Sequence, residues 1–350
     1  MRFRDKVRFS QQPVVIYEII PPSRESAEDL HVYADKLSSL LSRTHVDAIN
    51  IPEVRDETTR GARPVKTLPK TEPRVFGAVI QQTIGIEAIV NRCVVYTNRA
   101  NQQDWLLKTF KYYRIENLVL VGGESSKLRY PGPSVTETAD IITKYLNRGF
   151  KKEEGGEPTP LPYKTDYFCG GITIPSRRKP DPPWDEPNRL IEKAKRGIEF
   201  FTSQVLYEAE STKRLLKDYY KHCLEEGTEP KRICLSFAPA SSRKDVEFLK
   251  WLGVEIPPDV EHSLLEDPQK IAERSLEVSC HVLKEILDFT DREGIEVPLG
   301  LNVEHIMNHN FEISIEMIQD LSKLYRSFCI QEALLHDRRV VMPKRHLSQI

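Results

Sequence analysis

The sequence predicts a closed (β/α)8 barrel. Three observations carry this: eight short runs rich in β-branched and aromatic residues, a segment of helical period after each, and a length of 350 residues, which suits a barrel core of about 250 residues with insertions. Parallel strands covered on both faces read as near-continuous apolar runs, and strict alternation with helices joins them by crossovers. An open doubly wound sheet is the alternative that the pattern admits.

In chain order the strand runs are 14–20, 46–51, 86–96, 117–121, 167–174, 198–206, 232–237 and 297–303. The helical segments are 26–41, 72–83, 102–113, 134–147, 186–196, 208–226, 243–252, 268–292 and 312–325. The first strand stops at Pro21-Pro22, and the fourth runs into Gly122-Gly123. Residues 151–164, rich in Pro, Gly and charge, read as an exposed insertion in a single domain spanning 1–350. A second Pro-rich stretch, 179–184, follows the fifth strand and would lie at the C-terminal mouth of the barrel, where such loops line active sites.

Lys plus Arg total 51 and Asp plus Glu 52, a net charge of −1, so no positive field is available to hold nucleic acid. The apolar stretches are far shorter than the roughly 20 residues of a membrane span. No apolar run with a cleavage site follows the first residues, which leads to the expectation of a soluble, cytoplasmic chain. Six scattered cysteines without a C-x-x-C pair argue against a zinc ribbon or a disulfide framework, and are expected to be mostly buried thiols.

Glu18 is the first candidate for chemistry. It lies in Val14-Val15-Ile16-Tyr17-Glu18-Ile19-Ile20, and a carboxylate inside an apolar strand needs a raised pKa or a fixed partner. An ion pair closing the barrel is the bland reading; a general acid held protonated near neutral pH is the functional one. Glu124, after Gly122-Gly123, is either a capping residue or a catalytic one, and the glycines would let a ligand approach the backbone. Gln204 carries the one amide in an apolar strand, either satisfied locally or aimed at a ligand edge.

His305 and His309 are four apart, but no third ligand is evident, so a metal reading is weak. His281 and Asp288 form no recognisable nucleophile arrangement. No G-x-G-x-x-G, phosphate loop or G-x-S-x-G is present.

The order of the motifs resembles the methylenetetrahydrofolate reductase family. Tyr17-Glu18-Ile19-Ile20-Pro21-Pro22-Ser23 is similar to that family's first-strand Phe-Glu-Phe-Phe-Pro-Pro. Asp47-Ala48-Ile49-Asn50, with Arg55-Asp56-Glu57-Thr58 beyond it, resembles Val-Ser-Val-Thr and Arg-Asp-x-Thr. Asn117 to Glu124 is similar to Asn-Ile-Leu-Ala-Leu-Arg-Gly-Asp, and Thr202-Ser203-Gln204-Val205 to Ile-Thr-Gln-Phe.

The resemblance implies a barrel that reduces 5,10-methylene-tetrahydrofolate, or a related pterin, to the 5-methyl form, with FAD as cofactor and NAD(P)H as a donor. Glu18 then stands at the general acid, Glu124 at the acidic group that stabilises the iminium cation, and Gln204 and Asn50 at substrate contacts. Asn91, Gly123, Glu124, Arg178 and Lys193 stand at flavin positions. The flavin side departs from the family: His-Leu-Thr-Cys reads Asn91-Arg92-Cys93-Val94, the Arg before Gly-Asp reads Gly122, and Tyr-Pro-Glu-x-His reads Ile174-Pro175-Ser176-Arg177-Arg178. The resemblance also implies a homo-oligomer or a partner redox subunit. The other class of function left open is a noncatalytic pterin-binding or complex-forming subunit that has lost flavin.

Overall fold

The computed structural model describes residues 1–9, 13–25, 29–55, 61–65, 68–124, 128–177 and 185–341, with 330–341 described as backbone only. Eight parallel strands close into a barrel: β1 (Val15–Ile19), β2 (Ala48–Ile51), β3 (Glu87–Cys93), β4 (Asn117–Val121), β5 (Phe168–Thr173), β6 (Ile198–Val205), β7 (Arg232–Phe237) and β8 (Leu299–His305). Each strand pairs with the next in sequence, and β1 pairs with β8. This is the expected (β/α)8 fold.

The helices are α1 (Phe3–Arg8), α2 (Leu30–Leu41), α3 (Pro73–Ile84), α4 (Arg99–Tyr113), α5 (Val135–Asp140), α6 (Glu186–Lys195), α7 (Glu210–Glu226), α8 (Arg243–Trp251), α9 (Pro258–Leu265), α10 (Ile271–Glu293) and α11 (Phe311–Val341). Helix α5 begins at a reciprocal cap between Ser134 and Glu137 and runs on into a wider turn over Ile141–Tyr145. Sequence periodicity does not find α1 or α9, which are one or two turns long and carry few apolar positions. In the insertion, Phe150–Lys151 and Thr159–Pro160 form a small exposed antiparallel ladder. The thiols of Cys169, Cys223 and Cys234 are buried, while Cys93, Cys280 and Cys329 are partly exposed, and none of the six is in a disulfide.

Side chains alternate between the two faces of each strand with a period of two. The outward set, including Tyr17, Ile49, Val90, Leu120, Phe201, Leu235 and Val303, packs under the helices in the main core. The inward set, Ile16, Ala48, Ile89, Val119, Phe168, Phe200 and Cys234, fills the barrel. Gly170 belongs to this filling: a Cβ there would lie 2.5 Å from the Phe200 ring.

Helix α1 corks the N-terminal end. Phe3 and Val7 join the interior cluster, 1% and 3% exposed. Glu87 accepts from the Phe3 backbone N–H at 2.6 Å and from Asn117 Nδ2 at 2.9 Å. Buried Arg232 donates to the carbonyls of Val7 (3.0 Å), Phe9 (2.6 Å) and Leu299. Arg4 pairs outward with Asp166 at 2.7 Å and Glu116 at 3.1 Å. Among the described residues no helix is long and apolar enough to cross a membrane.

Candidate active site

Continuing the alternation from the filled layer toward the C-terminal mouth places Glu18, Asn50, Asn91, Ser236, Asn302 and Glu304 on inward positions. They come from the five adjacent strands β7, β8, β1, β2 and β3. Val121 and Ile172 pack against the filled interior from β4 and β5. One side of the mouth is therefore polar and the other apolar.

Glu18 and Glu304 are register partners on β1 and β8. Asn50 Nδ2 donates to Glu18 Oε2. Asn302 Nδ2 donates to Glu304 Oε1 at 3.2 Å and to Ser236 Oγ at 3.0 Å. Both carboxyl side chains keep a narrow opening to solvent, yet protein packs around them closely enough that lost hydration dominates their acidity. Burial pushes Glu18 up to about 7 against the opposing hydrogen bonds of Asn50, Asn91 and Asn302. Burial, then the charge of Glu18, pushes Glu304 well above the usual carboxylate range. Two such carboxyls cannot both ionise cheaply, so they titrate as a unit that retains a proton near neutrality.

The three asparagines supply more than donors. Asn50, Asn91 and Asn302 are 0%, 8% and 0% exposed, and the Oδ1 of each is buried without a donor. A buried amide oxygen without a partner is costly unless a ligand or a protonated acid supplies the hydrogen.

Asn91 also lines a cavity of about 410 Å³ beside the pair, between the segment after β2 and the end of β3. Its inner wall is Arg92, which donates to Glu53 (3.1 Å), Gln102 (3.1 Å) and Thr97 (2.9 Å) and lies 4.6 Å from the centre of the Trp105 ring. Arg74 lies over Trp105 at 4.6 Å and holds Glu72 at 2.7 Å.

The sequence-predicted residues separate into those the fold brings to this mouth and those it does not. Glu18, Asn50 and Asn91 converge. Glu124 lies in the segment after β4, where its charge and backbone act on Tyr96. Gly123 is covered by Tyr130, whose ring would be 2.2 Å from an added Cβ, so packing explains the glycine without a ligand.

Gln204 is turned away from the pair because the β6–β7 ladder slips by one residue between Thr202 and Val205, putting Val205 opposite Ser236. Its amide accepts from the Val205 N–H at 3.0 Å and donates to the Leu252 carbonyl at 3.4 Å. Lys193, 7% exposed, donates to the Ile172 carbonyl at 2.6 Å, with the Phe201 ring 5.9 Å away. Burial pulls it down to about 8. It is enclosed between α6 and the outer face of the barrel.

Arg178, Asp56 to Thr58 and the stretch 179–184 lie outside the described residues. Of the described flavin positions, Lys193 is enclosed in the wall and does not reach the mouth. Asn91 is engaged at the carboxyl pair, Gly123 lies under Tyr130, and the Lys193 ammonium is spent inside the wall.

The two histidines also part. His305 points outward between Tyr17 and Phe311, with ring centres 6.3 and 4.6 Å away. His309 meets both Asp245 oxygens at 3.1 Å. Among the described residues no cluster of His, Cys, Asp or Glu suits a metal ion. Ser236, Asn302 and Glu304 are the members that sequence reasoning missed, although Glu304 stands one residue past the last apolar run, a charge at a strand end as Glu18 is.

No family model matches the chain, and no curated protein matches it. Among solved structures it is similar to an uncharacterized protein from Clostridium thermocellum that binds two copies of 5-methyl-5,6,7,8-tetrahydrofolic acid. The TM-score is 0.71 and the identity 22%, over 92% of this chain and 99% of that one. The oxygenating constituent of 3,6-diketocamphane monooxygenase from Pseudomonas putida, in complex with FMN, aligns at TM-score 0.47 and 14% identity, over 88% of this chain and 95% of that one. At these identities the first likeness is one of fold.

Proposed function

We propose that this chain binds a reduced folate at the barrel mouth and reduces its 5,10-methylene form to the 5-methyl form, with Glu18 as general acid. The observation that carries the reading is the Glu18–Glu304 pair, which keeps a carboxylic acid protonated at neutral pH between two buried amides. The first-strand motif around Glu18 and the folate bound by the Clostridium thermocellum protein of like fold support it.

The chemistry needs one proton and one hydride. Glu18 gives its proton to N10 as the bond between N10 and the bridging carbon breaks, its electron pair staying on N10. The iminium carbon left on N5 then needs a hydride, which a donor such as NAD(P)H would supply, to become the 5-methyl group. The new Glu18 carboxylate is held by Asn50. General acid catalysis of this kind contributes about 10²–10⁴-fold.

A second reading is a noncatalytic reduced-folate-binding protein, favoured by the burial of Lys193 in the wall and the cover of Tyr130 over Gly123. The test is calorimetric binding of 5-methyl-tetrahydrofolate together with NAD(P)H oxidation in the presence of 5,10-methylene-tetrahydrofolate. Binding with turnover that falls at least about 100-fold in Glu18→Gln supports the reductase. Turnover unchanged in that variant removes Glu18 from the mechanism. Binding without turnover leaves the second reading, and absence of binding ends both.

A further inference from the structure

We infer that the 410 Å³ cavity beside Asn91 is the subsite for the aminobenzoyl-glutamate tail of the folate, with Lys70 and Arg24 receiving its carboxylates. The inference rests on the reduced-folate reading and adds to it a residue set outside the carboxyl pair.

The cavity grades from buried to open. Asn91 at its inner end hydrogen-bonds Glu18, and Lys70 and Arg24 stand at the half-buried and exposed rim. The rim is fixed by main chain: Ser23 pairs with Lys70, the Arg24 N–H donates to Pro69 at 2.8 Å, and the Thr71 N–H donates to Pro22 at 2.9 Å. Arg24 spends Nε on the Lys70 carbonyl at 2.8 Å. Its terminal nitrogens, and the Lys70 ammonium, meet no acceptor among the described residues. The two other arginines of the wall are already committed, Arg92 to Glu53 and Arg74 to Glu72. The rim thus offers two cations uncommitted among the described residues. Burial and the nearby Arg63 charge lower the Lys70 pKa, a state that an incoming carboxylate relieves.

A second observation points the same way. Glu72 Oε2 and Asn91 Oδ1, both lining the cavity, are buried without a donor. The tail of the 5-methyl form carries an N–H at N10, made when the bridge opens, and another at the amide joining the benzoyl group to glutamate. Asn91, beside Glu18, suits the first, and Glu72, whose charge Arg74 neutralises at 2.7 Å, suits the second. Trp105, on which Arg74 and Arg92 stack, also lines the cavity through which the aromatic linker would run.

The experiment is calorimetry on the full chain with two probes, 5-methyl-tetrahydrofolate and the tail-less 6-methyltetrahydropterin. Wild type is expected to bind the tailed probe more tightly. Lys70→Ala is expected to weaken that probe about tenfold while leaving the tail-less one within twofold, with Lys70→Arg restoring affinity and Lys70→Glu weakening it further. Equal loss for both probes, or no loss for the tailed one, overturns the subsite while the reduced-folate reading stands. If wild type binds neither probe, that reading falls and the subsite with it.

Discussion

Glu18 and Glu304 occupy the same level of neighbouring strands, inside a closed barrel, and no described cation bonds to either. Their placement makes the protein's stability depend on pH in a defined direction. The folded Glu18 carboxyl releases its proton at about 7, whereas an ordinary glutamate does so at 4.5. Between these values the native state holds a proton that the unfolded chain has lost. Unfolding free energy therefore falls as pH rises through this window, and Glu304, held protonated well above the usual carboxylate range, carries the fall beyond it. Glu18→Gln, which mimics the protonated acid, is expected to make this slope shallower, leaving the part due to buried Glu304, and to be more stable than wild type at pH 8 by about 1–3 kcal/mol. Urea unfolding across pH 4.5–8 reads it, and parallel curves for the two proteins would refute it.

His305 gives the opposite limb. Burial against Tyr17 and Phe311 pulls it from 6.5 down to about 4. As pH falls through that interval the unfolded chain gains a proton that the native state refuses, so stability is lost on the acid side. His305→Leu is expected to flatten that limb by about 1–3 kcal/mol in the same titration; an unchanged acid limb counts against it.

Arg232 ties the barrel to its cork. Arg232→Met leaves the carbonyls of Val7, Phe9 and Leu299 without their charged donor, at a cost of at least about 3 kcal/mol. Hydrogen exchange should quicken first in residues 3–9. Protection retained there would show that Phe3 and Val7 hold α1 by packing alone.

Gly170→Ala sets a methyl 2.5 Å from the Phe200 ring in a filled interior, whereas Gly122→Ala meets only Val135 at 3.8 Å. Overpacking is expected to cost the first variant about 1–3 kcal/mol, and the second about 0.5 or less. Thermal unfolding of the pair compares them directly; equal midpoints would place slack beside Phe200.

The barrel was legible because parallel strands leave unbroken apolar runs, and 117–121 and 232–237 coincide with their strands to the residue. Helix α1 was not, because its sequence Phe-Arg-Asp-Lys-Val-Arg offers only Phe3 and Val7 as an apolar pair. Its reason for forming lies in the barrel end it plugs. At the site, Glu18 announced itself as a charge among apolar neighbours. The position of Gln204 depended on a one-residue slip in its ladder, a property of the pairing that no single strand encodes. Asn302 and Glu304 lay beyond the predicted end or at the edge of the last run, where two more residues of strand carry the second carboxyl to the mouth.

The plug formed by Phe3, Val7 and the layer above them makes the barrel a vessel with a floor. Whatever reaches the two acids must enter and leave past the same rim, so a departing product blocks the next arrival until it has cleared. Protons lost from the acids are replaced by that route too, and reloading must wait for the vessel to empty.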